Sequence, residues 1–100
     1  MTPPKGRRAR FRFRLYVSGG TVNSLQAVGN LTQFCREQLA GIHEIEIVDV
    51  LKDPMRALDD GVLMTPTLVK LAPDPLVKII GTLSQTDTVR EALGLGVPHQ

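Results

Sequence analysis

Met64-Thr65-Pro66-Thr67 is the stretch of sequence that decides the fold of this chain. A proline that follows a small polar residue and precedes an apolar run has two interpretations. It either opens an ordinary strand, or it holds a cis peptide bond, which costs little at proline. The motif by itself does not distinguish these two interpretations. The order of the predicted elements around it is needed to choose between them.

Two strands joined by a long helix are predicted before this motif. Apolar and polar residues alternate over 11–17, which indicates a strand with one apolar face. Thr21 or Asn23 can cap the helix that follows, and Gly41 ends it. The helix carries an apolar stripe at spacings of three and four, formed by Leu25, Val28, Leu31, Cys35 and Leu39. The second strand is predicted from Ile45, Ile47, Val48 and Val50.

A short helix, two strands and a last helix are predicted for the rest of the chain. Pro54 suits the first position of the short helix. Strands are predicted over 67–71 and 76–80, with the turn Pro73-Asp74-Pro75 between them. The segment from Ser84 to Asp87 has the spacing of a capping box. The inner face of the last helix is formed by Val89, Ala92 and Leu93.

This order, β-α-β-α-β-β-α, indicates a thioredoxin-like α/β fold. The first two strands form a right-handed parallel crossover, and the last two form a hairpin. One sheet with helices on both of its faces is the simplest packing for these elements. Since thioredoxin-like folds keep a cis proline before such a strand, the order favours a cis bond between Thr65 and Pro66.

Length and charge indicate one domain with a basic arm. The chain of 100 residues divides into a flexible arm over 1–9, a domain over 10–95 and a short tail over 96–100. Six of the twelve basic residues precede residue 15, and no acidic residue precedes Glu37. Such an arm is typical of a solvated tail, with binding to an acidic partner surface as the alternative. It does not have the pattern of a nucleic-acid-binding face.

The sequence has no feature of a membrane or secreted protein. No apolar stretch is long enough to span a membrane, and the polar N-terminus lacks the apolar region of a secretory signal. A single cysteine excludes an internal disulfide. We therefore expect a cytoplasmic protein that binds neither membranes nor nucleic acid.

The residues that thioredoxin chemistry needs are missing. A thioredoxin carries Cys-x-x-Cys in the turn after its first strand, where the helix N-terminus activates one thiolate. Here that turn, residues 19–24, contains no sulfur. Cys35 lies on the apolar stripe of the first helix and is expected in the core, not as a nucleophile.

Other side chains also fail to form a catalytic or metal-binding pattern. Neither His43 nor His99 has a nucleophile or a ligand set nearby in the sequence. The aspartates of the middle region, Asp49, Asp53, Asp59 and Asp60, lack the spacing of a calcium loop and are expected as solvated turn or cap residues. We therefore expect no enzyme activity, no cofactor and no metal site.

Five blocks of sequence occur in an order and with a spacing that are specific when taken together. They are Leu15-Tyr16-Val17-Ser18-Gly19, Asn23-Ser24, Ile47 to Pro54, Thr65-Pro66-Thr67-Leu68 and Ile79 to Ser84. Over about residues 13–95 these blocks resemble the KaiB family of circadian clock proteins. The domain is also similar to the N-terminal sensor domain of the histidine kinase SasA. A chain of 100 residues without a kinase region favours the KaiB family.

The resemblance implies a non-enzymatic partner of the KaiC ATPase. KaiB-type proteins bind the N-terminal ring of KaiC, compete there with the sensor kinase, and regulate the phosphorylation cycle. In cyanobacteria they also capture KaiA. The resemblance also implies two folds that share the chain up to about Leu51: a ground state, often tetrameric, with the order β-α-β-β-α-α-β, and a monomeric thioredoxin-like state that binds KaiC. Self-association as a dimer or tetramer is therefore an open alternative.

The resemblance also points to residues that contact the partner. Lys70 and Lys78 match basic positions that the family uses toward KaiC. Lys52 and Tyr16 lie in the matching blocks and are also expected to contact the partner. At two further places where the family has lysine, this chain has Gly61 and Glu46. The alternative is that Lys70 and Lys78 are solvated strand ends, since surface charges contribute little.

A second set of residues is expected to influence the balance between the two folds. It comprises Thr65, Pro66, Pro73, Pro75, Ala92 and Gly94. Asp74 replaces the middle residue of a proline run that the family has, and Ala92 replaces a glycine. Alanine in a helix is favoured over glycine by about 1 kcal/mol, and Gly94 suits a helix terminator. These departures favour the thioredoxin-like state.

Two other functions are weighed against KaiC binding. A KaiB-like adaptor would share the fold but bind a histidine kinase or act in stress signalling. A thiol enzyme or peroxide sensor would have to work through Cys35, which has no resolving cysteine in this chain.

Overall fold

The alternating sequence over 11–17 does form a strand, and the elements that follow it have the predicted order. In the computed structural model, which describes residues 9–96, the elements are β1 (Phe11–Val17), α1 (Val22–Gln38), β2 (His43–Asp49), α2 (Pro54–Asp59), β3 (Thr67–Ala72), β4 (Val77–Ile80) and α3 (Thr86–Ala92). The predicted order β-α-β-α-β-β-α is confirmed. The structure does not have the alternative ground-state order β-α-β-β-α-α-β.

The four strands form one sheet in the order β2-β1-β3-β4. The crossover through α1 makes β1 and β2 parallel, with Leu15 opposite Ile47. Strand β3 runs antiparallel to β1, so that Tyr16 near the end of β1 lies opposite Thr67 at the start of β3. Strands β3 and β4 form the predicted antiparallel hairpin. The turn after β1, the end of β2 and the loop before β3 therefore meet at one edge of the sheet.

The larger core lies between the sheet and the two helices α1 and α3. The apolar face of β1 consists of Phe11, Phe13, Leu15 and Val17, and all four side chains are buried. They pack with Leu68 of β3, with Ala27, Leu31, Phe34 and Cys35 of α1, with Val89 of α3, and with Leu39 and Leu93, which directly follow the two helices. Cys35 is a core residue, as predicted.

A smaller core lies on the opposite face of the sheet, under α2. It is formed by Tyr16, Val48, Ala57, Val62 and Val69. Helices therefore cover both faces of the sheet, as predicted, but α2 has only six residues and covers part of its face. Pro54 is the first residue of α2, also as predicted.

The predicted core face of α1 is partly wrong. Leu31, Cys35 and Leu39 are buried, but Leu25 is 61% exposed, and Ser24 is buried in its place. The reason is a hydrogen bond: Ser24 Oγ accepts from the backbone N–H of Ser18 at 3.0 Å, which turns Ser24 toward the sheet. The helix begins after Thr21, whose side chain makes no capping hydrogen bond, and Asn23 lies inside the helix.

The start of α3 also differs from the prediction, whereas its end agrees with it. Gln85, not Ser84, is the N-cap residue, and it makes no side-chain capping bond, so the predicted capping box is absent. At the other end Gly94 has a φ of 79°. The N–H of Gly94 donates to the carbonyl oxygen of Glu91, and the N–H of Leu95 donates to that of Arg90. This pair of bonds is a Schellman motif, with glycine in the left-handed position.

Some predictions concern residues that the structure does not describe. The arm predicted over 1–9 and the tail predicted over 96–100 lie outside the described residues, apart from Ala9 and Gly96. Within residues 9–96, no helix has the length and apolar character that crossing a membrane requires.

Candidate partner-binding surface

The turn after β1 lies against the loop before β3, at the sheet edge where β1 and β2 end. Ser18 Oγ and Thr65 Oγ1 are 2.5 Å apart. The peptide bond between Thr65 and Pro66 is cis, as predicted. The carbonyl oxygen of Pro66 then accepts from the N–H of Gly81 at 2.9 Å, which ties the loop to the end of β4. The place where a thioredoxin has its reactive turn is therefore an ordered polar junction in this chain.

Asp49 holds the neighbouring turns at this edge. Its Oδ1 accepts from the N–H of Gly19 at 3.1 Å and from the N–H of Leu51 at 2.9 Å. One carboxylate thereby connects the turn after β1 to the turn after β2. Asp49 was predicted as a solvated turn residue, but the structure shows it half-buried, with two backbone donors.

This edge of the sheet has no group for thiol chemistry. Cys35, the only cysteine of the sequence, is fully buried in α1. Burial raises the pKa of its thiol to about 12, so the reactive thiolate is scarce at neutral pH. Among residues 9–96 there is also no group of three or more His, Cys, Asp or Glu side chains that could hold a metal ion.

Exposed apolar side chains surround the junction, and sequence reasoning missed them. A pocket of about 200 Å³ is lined by Ser18, Val50, Ala57, Val62, Leu63, Met64 and Thr65. Leu63 beside it is 89% exposed, and Leu51 and Met64 are also mostly exposed. The signal in the sequence was Val62-Leu63-Met64, an apolar run in a loop without helical or strand periodicity. Solvent-facing apolar side chains at one edge are typical of an interaction surface.

Two of the predicted contact residues are accessible. Lys52 is exposed in the turn between β2 and α2 and directly follows the exposed Leu51 in the sequence. Lys78 is exposed on β4, and its Nζ donates to the backbone carbonyl oxygen of Asp60. These two lysines remain predictions as partner contacts.

The other two predicted contact residues are buried, which corrects the prediction of a direct surface role in this fold. Lys70 is 2% exposed, because it lies opposite Phe13 and Val77 on the face of the sheet that α1 and α3 cover. Tyr16 is 0% exposed, because α2 and the following loop cover the other face. Neither side chain offers a contact surface here.

Tyr16 instead belongs to a group of polar side chains on the face that α2 covers. We call this group, Arg14, Tyr16, Glu46, Arg56 and Asp60, the Asp60 cluster. Tyr16 OH donates to Asp60 Oδ2 at 2.5 Å, and the Arg14 guanidinium donates to the same oxygen at 2.9 Å. Arg14 also donates to Glu46 at 2.9 Å, and Arg56 pairs with Glu46 at 2.8 Å.

The pKa values of the Asp60 cluster follow from these contacts. Burial alone would raise the pKa of Asp60, but the hydrogen bonds from Tyr16 and Arg14 outweigh it and lower the pKa below its usual value. The hydrogen bond from Arg14 likewise lowers the pKa of Glu46. Burial, together with the bond to Asp60, raises the pKa of Tyr16 to about 12. The cluster is therefore held with ionised carboxylates and a neutral phenol at neutral pH.

The residues predicted to influence the balance between two folds lie at three separate places. Thr65 and Pro66 belong to the junction with Ser18. Pro73 and Pro75 lie in the exposed turn between β3 and β4, where the bonds before both prolines are also cis. The third place is α3, with Ala92 half-buried in it and Gly94 after its end. The structure does not bring these three places together into one site.

Comparison with known proteins identifies the family. The sequence model of the KaiB domain matches residues 14–95 of this chain. The chain belongs to the KaiB family. The circadian clock protein KaiB3 of a Synechocystis species is 43% identical over 88 residues, which are 88% of this chain and 84% of that protein. The circadian clock oscillator protein KaiB of Microcystis aeruginosa is 43% identical over 82 residues, 82% of this chain and 79% of that protein.

Solved structures show that this KaiB-family chain shares its fold with thioredoxins. The N-terminal domain of Synechococcus elongatus SasA superposes with a TM-score of 0.72 at 16% identity, covering 100% of this chain and 98% of that chain. Chloroplastic thioredoxin z superposes with a TM-score of 0.71 at 17% identity, covering 90% of this chain and 81% of that chain. Identities this low establish the fold alone, and the predicted thioredoxin-like fold is confirmed.

Proposed function

We propose that this KaiB-family chain is a non-enzymatic, cytoplasmic clock or timer component that binds the N-terminal ring of the KaiC ATPase. By binding there it regulates the phosphorylation cycle of KaiC. The observation that carries the proposal is that a KaiB domain has the thioredoxin-like order from β1 to α3. The absence of sulfur from the turn after β1 supports a binding role over a catalytic one.

The edge of the sheet around the Ser18–Thr65 junction is the surface that we assign to the partner. It is the place where the exposed side chains of Leu63 and Met64 line a pocket, and the exposed Lys52 follows the pocket residue Val50 by two positions in the sequence. A core of apolar contacts with charged residues at its margin is the usual anatomy of a protein interface. The exposed Lys78 donates to the backbone carbonyl oxygen of Asp60, two residues before the pocket residue Val62, and we add it as a second basic contact.

The affinity for KaiC is proposed to depend on which of two folds the chain adopts. If only a fraction of the molecules has the thioredoxin-like fold, the apparent affinity is reduced by that fraction. Chemical shifts of residues 52–95 measure this population. A strand at Val77–Ile80 with a helix at 87–93 indicates the thioredoxin-like state, and a helix across Val77–Ile80 indicates the ground state.

A direct binding measurement tests the function. The full chain is mixed with its cognate KaiC in each phosphorylation state, and complexes are detected by pull-down and native mass measurement. We expect a complex with at least one of these states. The same mass spectra measure the self-association of the free chain as monomer, dimer or tetramer. If the chain binds none of the phosphorylation states of KaiC, the proposed function is wrong.

A matched pair of charge reversals tests the assigned surface. Lys52 and Arg36 are both exposed, but Arg36 lies on the outer side of α1, away from the junction. Lys52→Glu is expected to weaken KaiC binding by about tenfold, because a charge contact becomes a repulsion. Arg36→Glu is expected to leave the affinity within about twofold. Equal effects of the two substitutions would place the contact elsewhere.

The second candidate function is an adaptor that binds a histidine kinase. The similarity of fold to the N-terminal domain of SasA favours it, since the two domains superpose over the full length of this chain. A chain that binds a histidine kinase of its own organism and no form of KaiC would support this function over the first.

A further inference from the structure

The Asp60 cluster adds polar contacts between the first half of the chain and the segment from α2 to β4. Arg14, Tyr16 and Glu46 belong to β1 and β2, whereas Arg56 and Asp60 belong to α2 and the residue after it. The contacts within the cluster join groups that are 44 and 46 residues apart in the sequence. In addition to the pairing of β1 with β3 and the shared core, one carboxylate and its partners therefore form a polar attachment between the second half of the chain and the first half.

Asp60 is the centre of this attachment. Its Oδ2 accepts from Tyr16 and from Arg14, and its backbone carbonyl oxygen accepts from Lys78 of β4. Two strands, β1 and β4, thus contact the single residue that follows α2. Hydrogen bonds that involve an ionised group are about twice as strong as neutral ones.

The burial of Tyr16 makes its bond to Asp60 difficult to replace. The Tyr16 side chain is fully buried, so water does not offer its hydroxyl an alternative partner. The backbone carbonyl oxygen of Arg56 lies 3.0 Å from the same hydroxyl, but the phenol has one hydrogen, and the shorter contact is to the carboxylate. Without the Asp60 carboxylate, the Tyr16 hydroxyl keeps only the neutral carbonyl oxygen of Arg56 as an acceptor, and the stronger charge-assisted bonds from Tyr16 and Arg14 are lost.

We propose that Asp60 is a positioning residue that couples the segment from α2 to β4 to the first half of the chain. Loss of its carboxylate is expected to loosen α2, β3 and β4 selectively, while α1 keeps its stability. The consequence for function rests on the proposed function: since the cluster joins the shared half to the half that refolds, Asp60 would favour the thioredoxin-like fold.

Amide hydrogen exchange measured by NMR tests the coupling in the isolated protein. Asp60→Asn keeps the size of the side chain and removes its charge, and Asp59→Asn is the matched control because Asp59 is the exposed neighbour. We expect exchange at Leu68, Val69 and Ile79 to accelerate about tenfold more than at Leu31 in Asp60→Asn. Asp59→Asn is expected to behave like the unchanged protein.

Three outcomes would overturn the proposal. They are an equal acceleration in both halves of the chain, no acceleration at all, and the same effect from Asp59→Asn. If Asp60→Asn does not fold, Tyr16→Phe replaces it, because this change removes only the hydroxyl. Exchange in Tyr16→Phe that is unchanged, or that is accelerated equally at Leu31 and Leu68, overturns the proposal as well.

The outcome is independent of KaiC, so the two proposals can fail separately. Hydrogen exchange reports on coupling in the free chain, and the pull-down reports on binding. A chain that binds no KaiC but shows selective loosening in Asp60→Asn retains the coupling and loses the proposed function. A chain that binds KaiC but shows equal acceleration of exchange in both halves in Asp60→Asn retains the proposed function and loses the coupling.

Discussion

The hydroxyl oxygens of Ser18 and Thr65 lie 2.5 Å apart and join the turn after β1 to the loop before β3. The backbone N–H of Ser18 also donates to Ser24 Oγ, so the turn is held from both sides. A thioredoxin has a reactive cysteine pair in this region, whereas this chain has a hydrogen-bonded pair of hydroxyls. The junction therefore joins two loops through hydroxyl side chains where a thioredoxin has thiols.

Replacing Ser18 with alanine is expected to lower the free energy of unfolding by about 1 kcal/mol, because a part-buried hydrogen bond is lost. Urea unfolding followed by circular dichroism measures the change. Ser84→Ala is the control, since Ser84 is exposed and is not a helix cap in this structure. Equal stabilities of the two variants would show that the Ser18–Thr65 bond contributes nothing measurable.

Stability is expected to fall in acid as the carboxylates of the Asp60 cluster are protonated. The pKa values of Asp60 and Glu46 are lowered in the folded chain, from ordinary values of 3.8 and 4.5. The unfolded chain therefore binds more protons in this range, and stability is lost as the pH falls below about 4.5 toward the folded pKa values. Urea unfolding between pH 3 and pH 7 should show a smaller pH dependence in Asp60→Asn.

Stability is also expected to fall in alkali, through Cys35 and Tyr16. Burial raises both pKa values to about 12, from ordinary values of 9.0 and 10.0. The folded chain holds these protons more tightly than the unfolded chain does. The contribution of the two groups to the free energy of unfolding is therefore complete below about pH 9 and is lost as the pH rises toward 12. In Cys35→Ala the loss should begin about one pH unit later, because Tyr16 alone then contributes.

The thiol of Cys35 should be inert in the folded chain. A disulfide reagent such as DTNB at pH 8 is expected to react more than about 100-fold faster after denaturation, since reaction requires opening of the core. Rapid, complete reaction of the native protein would contradict the burial of Cys35 and revive the thiol-based function.

Charge reversal at Lys70 is expected to affect stability and not only binding. Lys70→Glu places a carboxylate in the core under α1 and α3, so the free energy of unfolding should fall by about 3 kcal/mol or more. Lys52→Glu, at an exposed position, should change it by less than about 0.5 kcal/mol. If Lys70→Glu keeps full stability but loses KaiC binding, Lys70 is a surface contact after all.

Two glycine-to-alanine substitutions are expected to have opposite signs. Gly94 has a φ of 79°, which alanine adopts only with strain, so Gly94→Ala should destabilise the chain by about 1 kcal/mol. Gly29 lies inside α1, and a Cβ added there would meet no atom within 4 Å. Gly29→Ala should therefore stabilise the chain by up to about 1 kcal/mol. Thermal unfolding of both variants measures the difference, and changes of the same sign would contradict it.

Local spacing in the sequence determined the elements and the main core. The period of two over 11–17 assigned Phe13 and Leu15 to the apolar face of β1, and the order of the elements predicted the cis bond before Pro66. The apolar face of β1 depends on residues close together in the chain, and the cis bond was predicted from the order of the elements. The absence of a cysteine pair was also evident from the sequence alone.

Tertiary structure alone decided the polar contacts and the second buried face. Alternation placed Tyr16 on the outer face of β1, but α2, about 40 residues later, covers it, and Asp60 binds its hydroxyl. Ser18 meets Thr65, 47 residues away, because β1 and β3 are paired in an antiparallel register. The spacing of residues along the chain encodes which face of an element is apolar. Which distant loops and charges meet depends on how those faces pack, and that is a property of the whole sheet.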